Sequence, residues 1–359
     1  MGHLSNLLNG LVKSLYTGKG KAGSGTNSGR EAADEMARDA RKNDMMLRSS
    51  GTVNGPGSNS FVSVFSRRGE KGVNQDCSIV WKEFGCQDDM IFCGIFDGHG
   101  PWGHLVAKMV RESLPSSLLC SWQETLILNS IPLDLDLVSD KKLCQSDIWK
   151  QSYLRTCAMI DKELKQHRGL NSFYSGTTAL TVVRQGDLIV SANVGDSRAV
   201  LATTNDDGSL VPIQLTMDFK PNLPCEAERI KQCNGRVFCL HDEPGVHRLW
   251  LPNEESPGLA MSRAFGDYCV KNFGLISIPE VNHRNITNRD QFIVLATDGV
   301  WDVISNHEAV QIVSSTTERE KAAKRLVEHA VRAWRRKRRG IAVDDCSAVC
   351  LFFCPCLPF

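Results

Sequence analysis

The chain has 359 residues, a formal net charge of +1 and 42% hydrophobic residues. A usual domain size of about 100–200 residues allows two domains, the near-balanced charge excludes a global pull toward nucleic acid or an anionic membrane, and no run of about 18 uninterrupted apolar residues predicts a spanning helix. Cysteines are scattered, and residues 1–14 show no cleavage-site pattern after a long apolar run, so free thiols in a reducing, intracellular compartment are expected.

Residues 17–57 are rich in Gly, Ser, Lys and Asp. The stretch Gly18-Lys19-Gly20-Lys21-Ala22-Gly23-Ser24-Gly25 cannot bury enough apolar area to offset chain entropy, which predicts a mobile, disordered tail. Order is expected from residue 61. Residues 61–66 alternate as a half-buried strand, 77–81 form a second, and 90–96 are apolar throughout, as a strand buried on both faces. Helical spacing takes over at 103–119, with Leu105, Val106, Met109, Val110 and Leu114 on one face. Residues 121–146 have mixed periodicity and read as a loop between helices. Residues 151–164 read as a helix.

Three strands follow at 178–183, 188–194 and 198–203, with Asp206-Asp207-Gly208 as a turn. A helix is expected over 225–233 and a strand over 291–296. Ser305-Asn306-His307-Glu308 is a capping box that starts a short helix through residue 313. Residues 321–336 are amphipathic, with Ala322, Leu326, Val327, Ala330, Val331 and Trp334 as the stripe, and a last strand covers 348–353. Strands clustered without regular βαβ alternation indicate an α+β fold.

Four acidic motifs lie far apart: Gly72-Val73-Asn74-Gln75-Asp76, Ile95-Phe96-Asp97-Gly98-His99-Gly100, Leu295-Ala296-Thr297-Asp298-Gly299 and Val343-Asp344-Asp345-Cys346-Ser347. Apolar runs that end in Asp put a carboxylate at a strand end. Several carboxylates can share a cleft only if a cation offsets their repulsion, which points to a hard cation such as Mg²⁺ or Mn²⁺ on oxygen ligands. The wide spacing excludes a local loop such as an EF-hand, whose ligands fall within about 12 residues. Each Asp taken singly is also a common turn residue beside Gly.

In order along the chain stand Asp97-Gly98-His99-Gly100, Ser175-Gly176-Thr177-Thr178-Ala179, Val194-Gly195-Asp196-Ser197-Arg198-Ala199, Ser262-Arg263-Ala264-Phe265-Gly266-Asp267 and Ala296-Thr297-Asp298-Gly299-Val300-Trp301-Asp302. This series resembles the metal-dependent protein serine/threonine phosphatases of type 2C. Gly98-His99-Gly100-Pro101-Trp102-Gly103-His104 is similar to the plant branch. The resemblance implies a four-layer αββα sandwich, two antiparallel sheets packed face to face and flanked by helices. It divides the chain into a tail (1–58), one catalytic domain (59–355) and a short C-terminal tail (356–359).

The resemblance also implies two Mg²⁺ or Mn²⁺ ions that activate a water for attack on phosphoserine or phosphothreonine in protein substrates. Asp97 and the Gly98 carbonyl resemble the bridging pair, Asp298 and Asp344 ligands of one metal, Asp76 a ligand of the second through water, and Asp196 and Asp302 ligands of a third, weakly held ion. Asp345 then reads as a capping residue. His99 is the expected general acid, because an alkoxide leaving group needs a proton and a histidine beside a metal-rich dianionic cleft keeps one. Two departures stand out: Gln75 where many relatives carry Glu, and Lys71 where many carry Arg. Lys71 is the expected phosphate contact, acting as a point charge rather than a bidentate fork.

Ser175-Gly176-Thr177-Thr178 is expected to fix a tight chain approach, and Arg198 and Arg263 to form salt bridges. Residues 220–259 resemble the variable flap beside the active site, with Trp250, Pro252 and residues 254–257 lining it. Arg335-Arg336-Lys337-Arg338-Arg339 is either an import or anionic-surface patch, which would allow a nuclear as well as a cytoplasmic location, or a helix end complementing its dipole; the latter is favoured. Gly2 opens an imperfect myristoylation signal because Asn6 replaces Ser/Thr. Cys354 and Cys356 are acylation candidates, so a peripheral membrane contact would rest on both termini. The chain is expected to be a monomer without a nucleic-acid partner. Two rival readings remain: a pseudophosphatase that binds phosphoproteins, and another binuclear metal phosphohydrolase such as a nuclease. No cysteine has Arg at the Cys-x₅-Arg offset, so a cysteine-based phosphatase is excluded.

Overall fold

The structure, a computed structural model, describes residues 62–130, 142–241, 243–254 and 258–353. The expected N-terminal tail, Gly2, residues 255–257, Cys354, Cys356 and the C-terminal tail lie outside the described residues. In chain order the strands and helices are β1 (Val62–Arg67), β2 (Asp76–Lys82), β3 (Met90–His99), α1 (Gly103–Ser130), α2 (Gln145–Gln166), β4 (Gly176–Thr177), β5 (Ala179–Gln185), β6 (Leu188–Val194), β7 (Arg198–Thr204), β8 (Leu210–Gln214), α3 (Pro224–Gln232), β9 (Arg236–Phe238), β10 (Arg248–Trp250), β11 (Phe265–Gly266), α4 (Tyr268–Lys271), β12 (Glu280–Asn285), β13 (Asp290–Ala296), α5 (Asp298–Trp301), α6 (Asn306–Ser314), α7 (Ala322–Lys337) and β14 (Cys346–Phe352).

Two antiparallel sheets form the centre. One runs β1-β14-β13-β7-β8; the other runs β11-β4-β3-β5-β6-β12, with β2 added to β3. Their facing sides meet in one apolar layer: Val62, Val64, Leu201, Ile293, Leu295 and Val349 from the first, Val80, Cys93, Ile95, Leu180 and Val182 from the second. The outer face of the second sheet is covered by α1 and α2. The outer face of the first is covered by α6 and α7. This is the expected αββα stack, and it explains why residues 90–96 are apolar on both faces: β3 has the other sheet on one side and α1 on the other.

The helix end at α6 carries the capping box in full. Ser305 Oγ accepts from Glu308 N, and the Glu308 carboxylate accepts from Ser305 N. The amphipathic stripe of α7 is buried throughout. Three expectations change. Residues 121–130 are not a loop but the last turns of α1, because Trp122 is buried and stacks on Trp149 of α2 with ring centres 5.0 Å apart. Its mixed periodicity reflects buried Ser121 and Thr125: Thr125 Oγ1 donates to the Ser121 carbonyl at 2.7 Å, and Ser121 Oγ accepts from Thr156 Oγ1 of α2 at 3.1 Å. Leu105 is not on the buried face but exposed. Trp250 does not line the flap surface: it is buried, stacks on Phe238 at 5.0 Å and anchors the β9–β10 hairpin from inside. Every cysteine among the described residues is a free thiol, and none of the described helices is long and apolar enough to cross a membrane.

Candidate active site

Asp97 lies near the end of β3, opposite Asp76 at the start of β2. The β4–β5 junction clamps its backbone: Asp97 N donates to Thr178 Oγ1 at 3.1 Å, and Asp97 O accepts from Thr177 Oγ1 at 3.0 Å and Thr178 N at 2.9 Å. Thus the Ser175–Thr178 hydroxyls do bond backbone, and they hold the strand end that carries the acid. Gly98 follows because a Cβ there would sit 2.4 Å from the Gly103 carbonyl oxygen. The chain packs too closely at the mouth of α1 for any side chain.

The other acids come from the opposite sheet. Asp298 opens α5 directly after β13. Thr297, one residue earlier, donates from Oγ1 to Asp76 Oδ2 at 2.9 Å and so ties the two sheet ends together. A Cβ at Gly299 would lie 1.9 Å from the Asp345 carbonyl oxygen, so only glycine lets α5 rest against the segment that carries Asp344. From α7, Trp334 Nε1 locks this contact by donating to Gly299 O at 2.6 Å. Asp345 accepts from the backbone N–H groups of Gly69 and Gln75 at 2.7 and 2.8 Å. It folds the β1–β2 loop back and so presents Lys71, whose Nζ lies 2.6 Å from Asp344 Oδ2. Asp196, in the β6–β7 turn, is almost completely buried and is paired with Lys220. Asp302 caps α5 at its C-terminal end.

These acids repel one another. Burial pushes Asp97 well above the usual carboxylate range, and the charges of Asp76, Asp298, Asp196 and Asp344 push it further. Burial also raises Asp76, with Asp345 and Asp298 adding to it against bonds from Ser347 and Thr297. Asp298 is raised to about 7, first by burial and then by Asp196, with Lys220 pulling the other way. Asp302 is raised by burial and by Asp196, again opposed by Lys220. Carboxylates this close need cations. Among the described residues no three His, Cys, Asp or Glu side chains already converge as a metal cage, and the two lysines take up Asp344 and Asp196. The donor set nevertheless fits a hard divalent ion. It is all oxygen, and Asp76 Oδ1 and Asp196 Oδ1 are buried with no hydrogen-bond partner.

His99 ends β3. Burial by itself would lower the pKa of its imidazole, but Asp267, bonded to Nε2 at 2.6 Å, outweighs that and holds it above its ordinary value, with Asp196 and Asp298 adding to the effect. The Lys71 ammonium is raised as well, since Asp344 outweighs the lowering effect of burial. Gln75 donates from its side-chain amide to the Gly100 carbonyl at 3.1 Å. Arg198 and Arg263 are salt-bridging, as expected: Arg198 to Asp218, and Arg263 to Glu226 at 2.8 Å while stacked over Phe219. The basic run closing α7 is exposed, and its Lys337 donates to the Val303 carbonyl at 2.7 Å. Sequence reasoning missed Asp267 and Lys220. Asp267 closes a motif and Lys220 opens the segment 220–259, and in each case the partner lies far away in the chain.

An αββα sandwich whose sheet ends carry oxygen-only acids beside a histidine bonded to a carboxylate fits a metal-dependent hydrolase. The family model "Protein phosphatase 2C" matches residues 62–338, and the chain belongs to that family. It is a metal-dependent serine/threonine protein phosphatase with plant relatives. The chain is 67% identical over 354 residues to "Probable protein phosphatase 2C 34" of Arabidopsis thaliana, covering 98% of each. It is 61% identical over 359 residues to "Probable protein phosphatase 2C 48" of Oryza sativa subsp. japonica, covering 98% of this chain and 99% of the relative. Among solved structures, the serine-threonine phosphatase 2C from Toxoplasma gondii superposes with a TM-score of 0.70 at 28% identity, over 82% of this chain and 94% of that one.

Proposed function

We propose that this phosphatase hydrolyses phosphoserine and phosphothreonine in protein substrates as a monomer, with two Mg²⁺ or Mn²⁺ ions held by the acid cluster. Asp97, the Gly98 carbonyl, Asp298, Asp344 and Asp76 would hold them. Asp196 and Asp302 would hold a third, weaker ion in competition with Lys220. When bound, such ions neutralise phosphate charge and acidify a water for attack on phosphorus. The chain's own residues do the rest. Lys71 leaves Asp344 to meet the incoming phosphate, His99 protonates the departing seryl or threonyl oxygen, and Thr297 and Asp345 keep the two sheet ends in register.

The observation that supports this reading is the mutual repulsion of Asp97, Asp76, Asp298, Asp196 and Asp344, acids drawn from both sheets, with the buried Asp76 Oδ1 and Asp196 Oδ1 still unpartnered. Turnover of a phosphothreonine peptide should vanish in excess chelator and return with Mn²⁺. Asp97→Asn should lower it by more than about a hundredfold, the scale of one electrostatic group at a reacting centre, with the melting temperature retained. A near-normal rate in that variant removes Asp97 from the site. Membrane contact and the choice between cytoplasm and nucleus would rest on Gly2, Cys354, Cys356 and the basic run. Fractionation of the intact protein against Gly2→Ala tests the anchor, and a wholly soluble intact protein disproves it.

A further inference from the structure

Asp267 closes the Ser262–Asp267 motif, yet nothing in the hydrolysis described above uses it. β4 lies between β3 and β11, so Gly176 is flanked by His99 on one side and Gly266 on the other. Asp267, one residue beyond β11, reaches across this glycine and its Oδ2 meets His99 Nε2 at 2.6 Å. The two side chains are 20% and 6% exposed, so water competes little for the bond. A Cβ on residue 176 would lie 2.0 Å from Asp267 Oδ2 and 2.7 Å from His99 Nε2. The pair passes through space that only glycine leaves open.

Its backbone is held with equal care. Asp267 has φ 53° and ψ 48°, the left-handed region that costs a non-glycine residue about 1 kcal/mol. Two contacts hold it there: Asp267 N donates to Ser175 O at 3.0 Å, and the neighbouring Gly266 N donates to Asp161 Oδ1 at 3.0 Å. Strain retained beside a catalytic histidine points to a function for the side chain it aims. On the other side of the ring, His99 Nδ1 is buried and has no partner in the protein.

We propose that Asp267 is the positioning residue for His99: it accepts the Nε2–H, sets the ring plane and tautomer, and leaves Nδ1 as the nitrogen that gives its proton to the leaving group. This inference rests on His99 being the general acid. As the bond between phosphorus and the seryl or threonyl oxygen breaks, its electron pair takes the proton from Nδ1. The Nδ1–H bond is lost and an alcohol O–H forms. His99 remains as neutral imidazole, still donating from Nε2 to Asp267, and Nδ1 regains a proton before the next turnover. An anchoring carboxylate acts in this way by orientation and tautomer, without itself becoming protonated.

The test compares kcat and KM for a phosphothreonine peptide and for 4-nitrophenyl phosphate, whose leaving group needs little protonation, with Mn²⁺ present. Asp267→Asn should lower kcat on the peptide by about 10–100-fold, less than the full worth of a general acid, with KM unchanged and little loss on the aryl ester. Asp267→Glu should regain part of the rate. The double variant His99→Ala/Asp267→Asn should be no slower than His99→Ala, since residues acting as a unit are not additive. In wild-type protein carrying ¹⁵N-labelled histidine, the His99 Nε2 proton should be resolved and slow to exchange. Equal losses on both substrates, additive losses in the double variant, or a wild-type Nε2 without a protected proton would overturn the proposal; the last needs no variant to fold. If His99→Ala itself shows no preference for the aryl ester, the general-acid reading fails. If His99→Ala shows it and Asp267→Asn does not, only the role of Asp267 fails.

Discussion

Lys220→Met removes an ammonium from the acid cluster and keeps most of its aliphatic stem. Asp196, its partner, is 1% exposed, and the other carboxylate oxygen of Asp196 has no hydrogen bond. Breaking a buried ion pair by deleting one partner costs about 3–5 kcal/mol, because the remaining charge is left uncompensated. The Lys220 side chain is 34% exposed, so water screens part of this and about 2–3 kcal/mol is expected. At roughly 2–4 °C per kcal/mol for a domain near this size, melting in excess chelator should fall by about 4–12 °C. Mn²⁺ should recover much of that loss, because a divalent ion offsets the same carboxylates that Lys220 offsets: Asp196, Asp298 and Asp302 all raise the Lys220 pKa against the lowering effect of its burial. The assay is thermal unfolding of wild type and variant, each in chelator and in Mn²⁺. A variant that melts within about 1 °C of wild type in chelator, on the same scale, would refute the reasoning. So would a loss of equal size in both conditions.

Glu226 accepts from Arg229, Arg263 and Ser262, whose bonds outweigh the raising effect of its burial and hold it at about 2. The unfolded chain therefore takes its proton first on acidification. This contribution, about 3 kcal/mol for a shift of that size, is present above the ordinary glutamate value and is lost as pH falls from about 4.5 toward 2. Urea unfolding should show that acid limb flattened in Glu226→Gln. Lys71→Met should raise KM for a phosphopeptide while leaving the Mn²⁺ dependence little changed, and Lys71→Arg should leave KM equal or lower because Arg grips phosphate bidentately; an unaltered KM in Lys71→Met takes that side chain off the phosphate. Trp149→Ala should cost about 3–5 kcal/mol by denaturant unfolding, the usual scale for deleting a buried large aromatic side chain. Trp149 is fully buried, and it donates to Gln185 Oε1 at 3.0 Å as well as stacking on Trp122.

Local chemistry was legible without coordinates. The apolar runs before Asp97 and Asp298 read as strands ending in acids because burial on two faces leaves no polar positions until the strand meets the site. Ser305 and Glu308 announced the start of α6 because a capping box is complete within four residues. The stripe of α7 is likewise an intrinsic pattern. The extension of α1 to Ser130 was not legible, since the partner that buries Trp122 is Trp149, across a helix pair whose meeting no periodicity encodes. The same reason hid Asp267 and Lys220. His99 and Asp267 are 168 positions apart, and only the β3–β4–β11 pairing brings them across Gly176. Asp196 is a turn acid in sequence, and only the folded chain, in the segment leading into α3, brings Lys220 onto it. Periodicity and caps are short-range and survive in one dimension. Which charge neutralises which is a matter of strand register and sheet packing, and that exists only in the folded chain.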